Sequence, residues 1–143
     1  MIDFSLSETV AALGARQLGA DVRFQSVSSD TRALQPGDLF VALRGPNFDG
    51  HDYLRQARES GAVAAMVSRE SGAPLPCLLV DDTRAGLGKL AALWRAASDA
   101  TLVAVTGSNG KTTVKEMIAA ILGFNRSVLA TRGNLNNDIG LPL

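Results

Sequence analysis

The apolar positions change their period several times along the chain, and each change marks an element. Ser5-Leu6-Ser7-Glu8 has the S-x-x-E spacing of a capping box, in which a hydroxyl and a carboxylate satisfy each other's backbone amides at a helix start. Val10, Ala11, Leu13 and Ala15 continue it as a short first helix, with Gly14 and Gly19 bracketing its end. Residues 22–27 alternate well enough for a strand, and the turn chemistry of Gln35-Pro36-Gly37-Asp38 leads into a short buried strand at residues 39–43. A loop spans residues 44–49. Residues 52–60 read as a helix stopped by Gly61, with a strand after it at residues 63–67, which makes a strand-helix-strand unit. Residues 78–80 give a further short strand.

Asp81 or Asp82 can cap a helix whose apolar positions Leu87, Leu90, Trp94 and Ala97 are spaced by threes and fours and share one face, so Trp94 belongs to the core. Gly86 and Gly88 weaken the first half of that helix. Ser98-Asp99-Ala100 is a polar break and the expected boundary between a domain at residues 1–98 and another at residues 101–143. Beyond it, Thr101-Leu102-Val103-Ala104-Val105 is an unalternated apolar strand of the kind found inside parallel sheets. From Thr112, Val114, Met117, Ile118, Ile121 and Leu122 form a helical stripe; a strand at residues 127–130 and a loop at residues 131–138 follow. The fold class is α/β. The 43 residues after position 100 provide one strand-loop-helix-strand unit where a doubly wound sheet needs several, so a truncated second domain is expected.

Composition narrows the function. The chain is 46% hydrophobic and 20% charged, which is globular, and its net charge is zero, so no broad basic surface exists for nucleic acid and any anion site must be local. Cys77 and His51 are each the only residue of their type, which excludes an internal disulfide and a histidine-rich metal site and fits a reducing compartment. The N-terminus has no basic flank or apolar h-region, and no apolar run approaches the roughly 20 residues of a membrane span. A soluble, cytoplasmic monomer that binds neither membrane nor nucleic acid is the expectation. His51, between Asp49 and Asp52, reads as a hydrogen-bonder that fixes its loop rather than as a ligand or base.

The chemistry concentrates in residues 106–113, T-G-S-N-G-K-T-T, between an apolar strand and an amphipathic helix. A glycine-rich turn opening a helix presents unpaired N–H groups and a positive dipole end to an anion. Gly107 and Gly110 let the backbone approach ATP phosphates, and Ser108, Asn109 and Thr113 add donors. Lys111 reaches the β- and γ-phosphates as the catalytic cation, and the Thr112 hydroxyl ligates Mg2+. The general G-x-x-x-x-G-K-[ST] pattern would need glycine where Val105 stands, so this is a variant loop. The competing reading is an ordinary glycine turn with a solvated lysine.

With Val114-Lys115-Glu116-Met117 after it, this loop closely resembles the ATP site of the Mur ligase family, cytoplasmic enzymes that build the peptide stem of peptidoglycan precursors. Gly133-Asn134-Leu135-Asn136-Asn137-Asp138-Ile139-Gly140-Leu141-Pro142 resembles the member that adds D-alanyl-D-alanine to the UDP-N-acetylmuramoyl tripeptide. Ser29-Asp30-Thr31-Arg32, the run from Pro36 to Gly45, and Asp49-Gly50-His51-Asp52 look like the family's UDP-binding domain. The resemblance implies a small N-terminal α/β UDP-binding domain followed by the first strand-P-loop-helix-strand unit of a truncated parallel-sheet ATPase domain. It carries substrate contacts over to Thr31, Pro46, Asn47 and Phe48. Arg32 can pair with pyrophosphate, Phe48 can cover a uracil face and Asn47 can bond its edge; capped turns with a surface arginine are the other reading of that region. Asn134, Asn136 and Asn137 can contact substrate or simply satisfy loop backbone.

The implied reaction is ATP-dependent amide ligation in cell-wall synthesis through an acyl phosphate. The downstream acidic magnesium ligands, the rest of the central sheet and the C-terminal domain that the family uses are absent from the sequence, so the chain by itself is not expected to ligate. A UDP-sugar-binding module, or another P-loop amide ligase or phosphotransferase, is the alternative.

Overall fold

In the computed structural model, which describes residues 3–70, 72–131, 135 and 137–143, the chain divides into two units, Met1–Ser98 with Pro142–Leu143, and Asp99–Leu141. The first is built on the strands β2 (Arg16–Leu18), β4 (Ser26–Ser28), β5 (Asp38–Val41), β6 (Ala64–Val67) and β7 (Cys77–Leu79), in the spatial order β2-β7-β6-β5-β4. β4 to β7 run parallel and β2 closes one edge antiparallel to β7. A two-residue antiparallel pair, β1 (Phe4–Ser5) with β3 (Arg23–Phe24), stands apart from this sheet. The helices are α1 (Leu6–Leu13), α2 (Leu54–Glu59) after a 3-10 turn at Gly50–Tyr53, and α3 (Thr83–Ala96).

Both faces of the sheet are covered, which is why its central strands carry no polar alternation. The register sets Phe40 beside Ala65 and Ala65 beside Cys77 on one face, where Leu54 and Ala57 of α2 pack with Leu34 and Ala62. It sets Leu39 beside Ala64 and Met66 between Val41 and Leu78 on the other. Here α3 packs against β6 and α1 against β7, with Leu6, Leu13, Leu87 and Leu90 fully buried.

Local chemistry explains the helix ends. Ser5 caps α1 as the spacing requires: its hydroxyl accepts from Glu8 N and the Glu8 carboxylate accepts from Ser5 N. Gly14 ends that helix at φ 64°, a left-handed conformation that suits glycine, so Ala15 lies outside it. Asp82, rather than Asp81, caps α3 by accepting from Arg84 N and Ala85 N. Gly86 does more than weaken α3: a Cβ there would lie 2.8 Å from the buried Met66 sulfur, so the glycine lets the helix sit close on the sheet. Trp94 is half-buried and stacks on Phe4 and Phe24 at centroid distances of 6.3 and 6.2 Å, its buried indole N–H finding no acceptor among the described residues. Ala97 is exposed at the C-cap.

Two expectations change, and one strand appears where the pattern indicated none. Residues 22–27 form two strands in two different sheets, because Gln25 leaves the pairing with β1 and donates to Gly37 O instead, after which Ser26–Ser28 joins β5. β2, polar in sequence, becomes a strand through its long-range pairing with β7. In the second unit α4 (Lys111–Leu122) forms, but residues 101–105 and 127–130 make no ladder among the described residues. A strand exists only through hydrogen bonds to a neighbouring strand, and the described residues of Asp99–Leu141 offer neither segment one. No residue of α4 is buried, and Leu102, Met117, Ile121 and Leu129 are exposed. No helix among the described residues is long and apolar enough to cross a membrane.

Two glycines should respond oppositely to alanine. A Cβ at Gly50 would fall 2.8 Å from Ala42 Cα and Leu43 O, both backbone atoms, whereas one at Gly88 meets nothing within 4 Å. Gly50→Ala is expected to lower stability by about 1–3 kcal/mol through overpacking, and Gly88→Ala to raise it by about 0.5–1 kcal/mol through helix propensity; urea denaturation read by circular dichroism checks both. The Cys77 thiol is buried and donates to Leu75 O, and burial pushes its pKa up to about 11. At pH 8 its alkylation should be at least about a hundredfold slower in native than in urea-unfolded protein, since only the thiolate reacts.

Candidate functional site

Because β4, β5 and β6 are parallel neighbours, the loops that leave their carboxyl ends emerge on the same edge of the sheet, where open α/β folds bind ligands. The first carries Thr31 and Arg32, the second Pro46, Asn47 and Phe48, and the third Ser68 and Arg69. The loop after β4 is a tight turn. Asp30 N donates to Ser28 Oγ, Asp30 Oδ1 accepts from Arg32 N, and Ala33 N donates to Asp30 O. The Arg32 guanidinium also grips the Asp30 carboxylate, at 2.7 Å from Nη2 to Oδ2, and this bond holds the Asp30 pKa down at about 2. Asp30 and Arg32 thus form the capped turn; the arginine side chain is 85% exposed, so an anion can still approach it. Thr31 is half-buried.

The loop after β5 closes as a narrow hairpin, with Arg44 bridged to Asp49 and Gly45 N donating to Phe48 O at 2.9 Å. The Phe48 ring folds over Gly45, where any side chain would collide with it. Pro46, Asn47 and Phe48 are exposed along the tip.

Beneath that hairpin lies a polar knot that sequence reasoning found only in part. Asp49 Oδ1 accepts from His51 N at 3.0 Å and from His51 Nδ1 at 2.6 Å, while Oδ2 accepts from Arg69 Nη1 at 2.7 Å. His51 Nε2 accepts from Ser68 N at 2.9 Å. A backbone N–H can only donate, so Nδ1 bears the ring proton and Nε2 the lone pair. The expectation that His51 fixes its loop is met. Ser68 and Arg69 were missed, since nothing in the sequence shows that the residues after β6 face a histidine 17 positions earlier. The Arg69 guanidinium, then the His51 amide and ring, hold the Asp49 carboxyl well below the usual carboxylate range.

In the second unit, Gly107 at φ 149° and Gly110 at φ 75° occupy backbone conformations that side-chain-bearing residues rarely adopt. Gly110 is the N-cap of α4 and supplies no side-chain acceptor, and the first turn contains no acidic residue. Its amides are therefore uncapped, unlike those that Ser5 and Asp82 satisfy in α1 and α3. Lys111 Nζ donates to Gly107 O at 2.6 Å, folding the ammonium over the loop. Ser108, Asn109, Thr112 and Thr113 are exposed. This donor set fits a polyphosphate: N–H groups, one ammonium and hydroxyls, with no carboxylate to repel it. No group of three or more His, Cys, Asp or Glu among the described residues is placed to hold a metal.

Asn137 Oδ1 accepts from Ile139 N and Gly140 N, so that oxygen serves its own turn. Asn134 and Asn136 lie outside the described residues.

Comparison with known proteins follows this division. A family model described as "Mur ligase middle domain" matches residues 105–143, and one described as "Mur ligase family, catalytic domain" matches residues 23–95. The UDP-N-acetylmuramoyl-tripeptide--D-alanyl-D-alanine ligase of Escherichia coli is 51% identical over 143 residues, covering 100% of the chain and 32% of the relative. A MurF crystal structure from Acinetobacter baumannii aligns with TM-score 0.89 at 36% identity, over 99% of this chain and 32% of that one. The MurF ligase of Thermotoga maritima in complex with ADP aligns with TM-score 0.73 at 38% identity, over 82% and 28%. The chain spans about a third of the length of these relatives.

The Asp49 knot should make the first unit acid-sensitive. A carboxylate whose folded pKa is depressed adds stability that is fully present above its unfolded value, about 3.9, and is lost as pH falls toward the folded value. Asp49→Asn is expected to destabilise the protein at pH 7 and to flatten the fall in melting temperature between pH 5 and pH 2.5; melts of the two proteins across that range check it.

Proposed function

Because the chain belongs to the Mur ligase family, we propose that residues 106–113 bind the phosphates of ATP and that the loops after β4 and β5 bind the UDP portion of UDP-N-acetylmuramoyl-tripeptide. The enzyme of which these are parts is a ligase that joins D-alanyl-D-alanine to the tripeptide. The observation that carries the ATP half is the uncapped N-terminus of α4 behind two positive-φ glycines, with Lys111 held over the loop.

The chemical need in such a ligation is to activate a carboxylate, which an amine does not attack at neutral pH. Transfer of the γ-phosphoryl group of ATP to the tripeptide carboxylate gives an acyl phosphate, and attack by the amine of D-alanyl-D-alanine releases phosphate and forms the amide. Lys111 and the amides of residues 107–111 stabilise the negative charge on the transferring group and hold it in line. Magnesium ion, when bound with the Thr112 hydroxyl among its ligands, would neutralise further phosphate charge. On the UDP side, Arg32 has N–H donors for pyrophosphate, Asn47 offers an amide to the uracil edge and the Phe48 ring an apolar face. Asn134 and Asn136 are assigned to substrate contact on the motif alone, and Asn137 to that role through its side-chain N–H groups.

Residues 1–98 then serve as the UDP-substrate domain and residues 101–143 as the opening of the ATP domain, in a cytoplasmic monomer. The chain spans about a third of the relatives, and the ligation is proposed for the whole enzyme. A second reading, a UDP-binding module whose ATP half does not hold nucleotide, draws support from the unburied α4 and the unpaired flanking segments.

Separate calorimetric titrations of UDP and of ATP with magnesium decide between them. Binding of both is expected, with ATP affinity falling more than about tenfold in Lys111→Ala, the size of a lost charged hydrogen bond. UDP binding without ATP binding would establish the module reading, and ATP binding indifferent to Lys111 would refute the loop's assignment.

A further inference from the structure

The three residues assigned to the uridine side of the site, Pro46, Asn47 and Phe48, are exposed at the tip of the hairpin. Within the hairpin stand the Gly45 to Phe48 bond and the Arg44 to Asp49 bridge. Its orientation on the sheet is set at the base. There Gly50 N donates to Leu43 O at 2.8 Å, and the Asp49-His51 pair reaches across to Ser68 N and Arg69 Nη1 at the end of β6. A single buried imidazole therefore ties the ends of two parallel strands together, donating from Nδ1 on one side and accepting at Nε2 on the other.

We propose that His51 is a positioning residue for the UDP-binding hairpin, and that it acts only while Nε2 is free to accept the Ser68 amide. The inference rests on the reading of residues 46–48 as a UDP contact. Nε2 lies 2.9 Å from the Ser68 amide and 3.3 Å from the Ser68 hydroxyl, so a side chain with no acceptor there would leave the Ser68 N–H without its protein partner. The charged groups around it are Asp49 on Nδ1, Arg69 on the far side of that carboxylate, and Asp52, 4.0 Å from Arg69. Glu70 is turned to Arg16. Loss of the acceptor at Nε2 would free the Ser68 amide while the Asp49–Arg69 pair still joins the hairpin base to the end of β6, so the hairpin would be loosened and not detached.

The experiment titrates UDP into the chain, His51→Gln and His51→Phe at pH 8, with circular dichroism confirming folding. Gln keeps a carbonyl acceptor toward Ser68; Phe fills the ring volume and accepts nothing. His51→Phe should bind UDP at least about tenfold more weakly and His51→Gln within about threefold of the parent. A folded His51→Phe with parental affinity would overturn the proposal, as would a His51→Gln that loses UDP as fully as His51→Phe; if His51→Phe does not fold, His51→Leu, smaller and equally without an acceptor, takes its place. Failure of the parent to bind UDP would overturn the uridine reading and this role with it. Exchange of the Ser68 amide, faster in His51→Phe than in the parent, would then show the tie itself as a separate fact.

Discussion

Two-sided burial of a parallel sheet governs the first unit. β5 and β6 are buried at every position, and apart from Asp38, whose carboxylate accepts from Gln35 N at the start of β5, their side chains are apolar, so the helices must cover both faces. Parallel strands also force every crossover to begin at the same edge, and polar loop residues collect there because that is where the chain leaves the apolar interior. The clustering of Thr31, Arg32, residues 46–48, Ser68 and Arg69 is thus a consequence of topology before it is a consequence of any ligand.

What the sequence made legible follows the range of the interactions involved. Ser5 with Glu8, Gly14, Asp82 and Gly61 act within a few residues, and each serves the end of a helix that its pattern indicated. The central strands were legible because burial on both faces leaves an apolar run. β2 was not, for Arg16-Gln17-Leu18 has no strand signature and exists as one through Cys77–Leu79, some sixty positions away. The split at Gln25 was hidden for the same reason, since alternation shows extended backbone and not which neighbour it pairs with.

The candidate site divides likewise. The glycine loop carries its signal in eight consecutive residues, and both of its glycines have positive φ. The proposed uridine side rests on loops from separate strands, with Asp30 and Arg32 bonded to each other and Asn137 serving its own turn through its carbonyl. Asp49 and His51 were visible as neighbours, but their partners Ser68 and Arg69 come from another strand, and only the fold shows them.

The two units also differ in what stabilises them. In the first, apolar burial supplies the core and the polar knot at Asp49 adds direction to it. In the second, α4 buries no side chain, so its order draws on local backbone terms: the left-handed glycine before it and the hydrogen bonds along its own length. Isolated helices of about a dozen residues are marginal in water. The apolar stripe of Met117 and Ile121, with Leu102 and Leu129 beyond it, is the surface that further packing would have to cover. An anion at the first turn of α4 would engage amides that have no cap, so ligand binding and helix order would be coupled, with each stabilising the other.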